Sequence, residues 1–275
     1  TTLQYELRDG VVLITTTLQY ELRDGVVLIT LDRPQAHNAV NSVMSRELPL
    51  AWQRFAADDA AIVAIVTGAG ERALSVGADL ADLPETDGEG RFGTLASMRW
   101  SPLQNRVWKP VICAVNGMTV GGGLHFVADS DIVIAAEHAT FFDTHVRVGM
   151  VAGMELATLA RRIPLEAVLR MTLVGGNERV SAERALALGL VGEVVPGERL
   201  LARAFEVADM VKGNSPAAMA RSKRAIWEGA DRGLGAALEH AWELIMQQNL
   251  HPDIEEGARA FLEKRAPRWR PFSEC

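Results

Sequence analysis

Residues 115–135 read VNGMTVGGGLHFVADSDIVIA, and this stretch decides the fold. An apolar run, VICAVNG at 111–117, ends in glycine and reads as a buried strand; DIVIAA at 131–136 reads the same way. Between them GGGLHFVAD leaves room for a brief helix that opens on glycine. A strand, a short helix and a second strand in so little chain indicate an α/β core. AIVAIVTG at 61–68 adds another apolar run closing on Gly. Residues 41–57 read as a helix in which Pro49 predicts a bend or a split first turn. SAERALALGL opens on Ser181, an N-cap with acid in the first turn, and stops at Gly189; LVGEVV after it is a short strand. From 197 onward the pattern is amphipathic helix, broken at Ser215-Pro216 and His251-Pro252. The division expected is a core over 16–195 and a helical region over 196–275.

The front of the chain is unusual. TTLQYELRDGVVLIT at 1–15 is repeated without a change at 16–30. Each copy alternates polar and apolar residues around Arg-Asp-Gly, a hairpin signal. The second copy runs directly into Leu31-Asp32-Arg33-Pro34 and is expected in the sheet. The first is an artefactual duplication or an extension that the fold does not need.

Composition excludes several classes. The chain has 275 residues, 48% hydrophobic and 23% charged, with a net charge of −7, the profile of an ordinary globular protein. The acidic balance argues against nucleic-acid binding. No apolar run approaches the ~20 residues of a membrane span, and TTLQYELRDG is not a signal peptide, so a cytoplasmic location is expected. Cys113 and Cys275 suggest neither a disulfide framework nor a metal site, and no metal is expected.

Three glycine clusters remain. Gly68-Ala69-Gly70-Glu71-Arg72-Ala73 fits a dinucleotide pattern after a strand, but a second Gly turn follows instead of a helix, so the match is weak. The other two, around Gly77-Ala78-Asp79 and Gly121-Gly122-Gly123, each read as a passage into the first turn of a helix. Amides there lack intrahelical partners. Two of them converging on one point would make an oxyanion hole; two tight turns without a ligand is the alternative.

Five segments in order now resemble a known family. They are LDRPQAHNAVN (31–41), ALSVGADL (73–80), VNGMTVGGGLHFVADSDIVIA, ATFFDTHVRVGMV (139–151) and SAERALALGLVGEVV (181–195), with EGARAFLEKRAP (256–267) after them. The chain is similar to the crotonase, or enoyl-CoA hydratase/isomerase, superfamily from residue 16 to about 267. The resemblance implies a crotonase-type ββα spiral core with a C-terminal helical trimerisation region, assembled as a homotrimer or a dimer of trimers. It implies a lyase of fatty-acid metabolism with an acyl-CoA substrate, no cofactor beyond the coenzyme A of that substrate, and no nucleic-acid or membrane partner. It places the oxyanion-hole amides on Ala78 and Gly122. It points to Arg33, Gln35, Ala36 and Lys264 for coenzyme A, with Gln35 standing where the family has a Lys; Arg265 is a further candidate for the phosphates.

The family's hydratases hold water with two glutamates, and by motif His125 and His145 stand in those places. Imidazole titrates near ~6.5 against ~4.3 for a glutamic acid, so a His pair can hold one acid and one base near neutrality. Such a pair predicts a neutral or cationic site. Asp143, two residues before His145, would share its face on an extended segment and orient its ring. Glu155 is a further carboxyl in uncertain register. Phe92, Met98, Trp100, Phe126 and Met150 are candidate pocket walls. The expected reaction is hydration of a 2-enoyl-CoA. The alternatives are hydrolysis of a thioester or of a 1,3-diketone C–C bond, enoyl-CoA isomerisation, and a non-catalytic acyl-CoA-binding subunit.

Overall fold

The structure, a computed structural model, describes residues 5–8, 11–14, 16–83 and 98–272; Phe92 and Cys275 lie outside the described residues. The elements in chain order are β1 (Tyr5–Arg8), β2 (Val11–Ile14), β3 (Leu18–Arg23), β4 (Val26–Leu31), α1 (Ser42–Ala57), β5 (Val63–Gly68) and β6 (Ala73–Ser75). Then come β7 (Val111–Val115), β8 (Met118–Val120), α2 (Leu124–Ala128), β9 (Ile132–Ala136), β10 (Thr140–Phe142), α3 (Met154–Leu159) and α4 (Leu165–Val174). The chain continues through β11 (Val180–Ser181), α5 (Ala182–Leu188), β12 (Glu193–Val195), α6 (Leu200–Lys212), α7 (Pro216–Gly229), α8 (Leu234–Asn249) and α9 (Asp253–Leu262).

Two mixed sheets organise these elements. One runs β1-β2-β3-β4-β5-β7-β9-β12 and the other β11-β10-β8-β6. In the large sheet the strands from β4 to β12 pair in parallel, and the hairpins before them are antiparallel. The parallel strands read as unbroken apolar runs because both of their faces are covered. Val27, Ile29, Ala64, Val66, Cys113 and Val115 face the core that includes α1 and α2, while Val26, Leu28, Val63, Ile65, Ile112 and Ala114 pack toward α6. The alternation is the period-2 placement of successive Cβ atoms.

The β3–β4 hairpin turns on Asp24 (φ 45°) and Gly25 (φ 77°), both in the left-handed region that a two-residue hairpin turn demands. The first copy of the repeat forms the same hairpin in the same register. Tyr5 faces Ile14 and Arg8 faces Val11, as Tyr20 faces Ile29 and Arg23 faces Val26. β2 joins the sheet along β3, where Val12 meets Tyr20.

Pro49 does not split α1. The helix is continuous over Ser42–Ala57, capped by the Asn41 side chain accepting from the Met44 N–H. Met44, Leu48, Trp52 and Phe55 are all fully buried along it, and this packing outweighs the loss of one backbone hydrogen bond at Pro49. At its far end Lys109, itself buried, donates to the carbonyls of Phe55, Asp58 and Ala61 at 3.0, 2.7 and 2.9 Å. Ser181 and Gly189 cap α5 as their sequence positions predict. No helix among the described residues is long and apolar enough to cross a membrane.

Candidate active site

The site lies where β6 and β8 end side by side. β8 runs into a tight helical turn at Gly121–Gly123 and then into α2. β6 runs into Gly77-Ala78, which bridges to Val40. Contrary to the sequence expectation, no helix begins within residues 79–83; a parallel bridge holds the turn instead. Its hydrogen bonds are Val40 N–H to Gly77 O (2.8 Å) and Asp79 N–H to Val40 O (2.9 Å), so the Ala78 amide takes no part in it. Arg33 braces this turn, donating to Asp79 Oδ2 at 2.9 Å and to Ala39 O at 2.7 Å.

Close backbone approach explains the glycines. Gly77 has φ +81°, and a Cβ there would lie 2.7 Å from the Gly122 nitrogen. A Cβ on Gly122 would lie 2.9 Å from Cζ3 of Trp100 and 3.7 Å from the Ala78 nitrogen. The two turns therefore bring the Ala78 and Gly122 amides into one neighbourhood, and the leading amides of a helical turn have no intrahelical acceptor.

Around these amides the structure gathers the histidines. His145 starts a short 3-10 turn, His145–Val148, and its ring lies against Gly121, with Cε1 3.3 Å from where a Cβ of Gly121 would stand. Its Nδ1 is 2.7 Å from Oδ2 of Asp143, and its backbone N–H donates to Oδ1 of the same carboxyl at 2.9 Å. The Asp–His pairing expected from an extended segment is thus achieved by a tight turn. His125, on α2, is 2% exposed; its Nδ1 lies 3.4 Å from both Gln104 Nε2 and Asp129 Oδ2. Asp129 is fixed in turn by the Ser101 hydroxyl at 2.5 Å.

Glu155 joins the two rings. From the first turn of α3 it sets Oε2 3.4 Å from His125 Nε2 and Oε1 3.3 Å from His145 Nδ1. Its oxygen Oε1 is buried and makes no hydrogen bond. A neutral or cationic site, the sequence expectation, does not describe this cluster: two buried carboxyl groups, Asp143 and Glu155, stand in contact with the imidazoles. The hydrogen bond from Asp143 raises the His145 pKa above the usual histidine value, the charges of Glu155 and Asp143 add to the rise, and burial opposes it.

Other candidates are dispersed. Trp100 belongs to the site, its ring edge-on to His125 at 6.4 Å between centroids. Phe126 is fully buried in the core, and Met150 is exposed. Gln35 and Ala36 lie in the short turn Pro34–Ala36, and Arg33 is engaged with Asp79. Lys264 is exposed just past α9, and Arg265 pairs with Glu256 at 2.6 Å. A recess of about 240 Å³, lined by Leu103, Gln104, Asp129, Met154 and Thr158, reaches His125 from the side away from Glu155.

Known proteins agree with this architecture. Residues 21–271 match the family described as enoyl-CoA hydratase/isomerase. The chain belongs to that family. It is similar to the mevalonyl-coenzyme A hydratase of Aspergillus fumigatus, 36% identical over 250 residues, covering 88% of this chain and 90% of that one. The short-chain-enoyl-CoA hydratase of Clostridium acetobutylicum is 33% identical over 238 residues, 86% of this chain and 90% of its own. Among solved structures, an enoyl-CoA hydratase/isomerase from Mycobacterium paratuberculosis superposes with a TM-score of 0.86 at 40% identity, covering 93% of this chain and 98% of that one. The fold is therefore the crotonase fold, two mixed sheets with the C-terminal helices α7–α9, and the protein is an acyl-CoA enzyme of the enoyl-CoA hydratase/isomerase family.

Proposed function

We propose that the protein hydrates a 2-enoyl-CoA thioester with His125, His145 and Glu155 in place of a pair of water-holding glutamates. The observation that carries this reading is the seat of His145 against Gly121, one residue from the Gly122 amide. The thioester carbonyl accepts hydrogen bonds from the Ala78 and Gly122 N–H groups, which stabilise the oxyanion as charge moves onto it. Water sits between His125 and Glu155, gives a proton to that pair, and adds its oxygen to C3. The enolate collapses by taking a proton at C2 from His145, whose pKa is raised above the ordinary histidine value by its hydrogen bond to Asp143, which favours the protonated ring. Water has then added across the double bond, and coenzyme A is retained.

The test is mass spectrometry of the products from a panel of 2-enoyl and 3-enoyl thioesters. Gain of one water with coenzyme A retained supports the hydratase. A shift of the double bond without a change of mass would make the protein an isomerase. The 2.7 Å contact between His145 and Asp143 favours a second reading, a hydrolase in which an acid-oriented imidazole activates water against a carbonyl. Free coenzyme A, or cleavage of a 1,3-diketone, would select it.

The assembly proposed is a homotrimer or dimer of trimers built through the C-terminal helices. Ile226 on α7, Leu238 and Trp242 on α8 and Phe261 on α9 are large apolar side chains left exposed in the single chain, and such faces mark contact surfaces.

A further inference from the structure

The geometry points to a divalent transition-metal site in the imidazole–carboxyl cluster, with Asp143, His145 and Glu155 as its three protein ligands. The inference does not rest on the reaction proposed above. Donor atoms of Asp143, His145 and Glu155 all lie within 4.8 Å of one another, and among the described residues this is the one group of three or more such side chains so placed. Ligands about 2.0–2.1 Å from a tetrahedral ion stand roughly 3.3 Å apart. His145 Nδ1 and Glu155 Oε1 are already 3.3 Å apart, whereas His145 Nδ1 and Asp143 Oδ2, at 2.7 Å, must open by about 0.6 Å once an ion replaces the proton between them.

A second feature is independent of that spacing. Glu155 Oε1 is a buried oxygen with no hydrogen bond, on a side chain 5% exposed, and it is aimed into the cluster. A buried carboxyl oxygen without a donor carries a desolvation cost that a cation removes. His125 stands beside the cluster and supports it from outside, with Nε2 3.4 Å from the other oxygen of Glu155, Oε2. Histidines elsewhere lack such company; His240 pairs with Glu228 at 2.7 Å and His251 lies near Asp253 at 3.7 Å, without the clustering seen here.

Donor chemistry selects the ion. One imidazole with two carboxyls suits Zn²⁺, Co²⁺, Fe²⁺ or Mn²⁺, whereas Ca²⁺ and Mg²⁺ call for oxygen ligands throughout. An ion on His145 Nδ1 would displace the proton shared with Asp143, so metal and proton compete, and the hydration proposed above belongs to the metal-free chain. Affinity must therefore rise with pH.

The experiment is titration of the full chain, first stripped with a chelator, using Co²⁺ followed by visible absorption and then Zn²⁺ as displacer, with the metal content measured by elemental analysis. One ion per chain is expected, with Glu155→Gln and Asp143→Asn each weakening binding by more than about tenfold. Circular dichroism of each variant separates lost ligands from lost fold, and the carboxyl-to-amide changes conserve shape. Absence of saturable binding by the parent chain overturns the inference, as does binding undiminished in both Glu155→Gln and Asp143→Asn. Metal occupancy is read without substrate, so a failed hydration assay leaves this result standing, and failed binding leaves the hydration reading standing.

Discussion

Asp143 holds His145 at two points, accepting from its backbone N–H at 2.9 Å and meeting its Nδ1 at 2.7 Å. One carboxyl thus fixes both the turn that carries the imidazole and the direction of the ring. Because Asp143 is fully buried, water does not compete for it.

In the hydration proposed above, this pairing is expected to set the alkaline limit of activity. The His145 pKa is raised, chiefly by Asp143, so its protonated form persists above the usual histidine range and is lost as pH rises through the raised value. The stability that this charge contributes follows the same sign, complete below the unfolded pKa and lost across the same rise. Activity that needs the acid falls on that limb. In Asp143→Asn the limb of the kcat/KM profile moves to lower pH, and an unmoved limb would show that His145 is not the acid. His145→Ala lowers kcat by about 10²–10⁴-fold.

The Gly77–Gly122 contact predicts a different defect. Gly77→Ala puts a Cβ 2.7 Å from the Gly122 nitrogen at a backbone φ of +81°. The two turns must separate, and both amides lose their aim. The expectation is a fall in kcat of about 10²–10³-fold with a stability loss of about 1–3 kcal/mol, read from kinetics and thermal unfolding. Wild-type kcat in this variant would mean that the amides do not stabilise charge.

Most of the architecture is legible in the chain. Apolar runs such as 61–68 gave strands, Ser181 and Gly189 bounded a helix, and the motif order gave the family. Glu155 was not placed, because the loop between Gly149 and Gly153 sets its register and only the packing of α3 against α2 brings it between the histidines. The charge of the site was misread for the same reason: the sequence shows which residue replaces which, not which carboxyl arrives from another element. The bridge from Val40 to Ala78 is equally silent, since it joins two irregular segments. Pro49 misleads because local propensity is overridden by the buried face of α1.

Lys109 carries a stability prediction. Its ammonium group donates to three carbonyls at the end of α1 and stands 4.9 Å from the Phe272 ring centroid. Lys109→Met keeps most of the volume but removes this donor from the Phe55 and Ala61 carbonyls, while Asp58 O keeps the Ala61 N–H at 3.0 Å, at a cost of about 2–4 kcal/mol. Chemical denaturation measures it. A loss under about 0.5 kcal/mol would mean that the carbonyls find other donors.

The repeated hairpin can be removed. β1 and β2 copy the register of β3 and β4, yet among the described residues they pair with the sheet only along β3, and a two-stranded hairpin by itself is marginal in water. The second copy, by contrast, pairs with β5 through Val26–Leu31 and so is tied to the parallel core. Deleting residues 1–15 exposes the edge of β3 but leaves each of those pairings in place. Thermal unfolding of the shortened chain should therefore fall within a few degrees of the full chain, with kcat unchanged. A large loss of stability against the full chain would show that the extra hairpin is part of the fold.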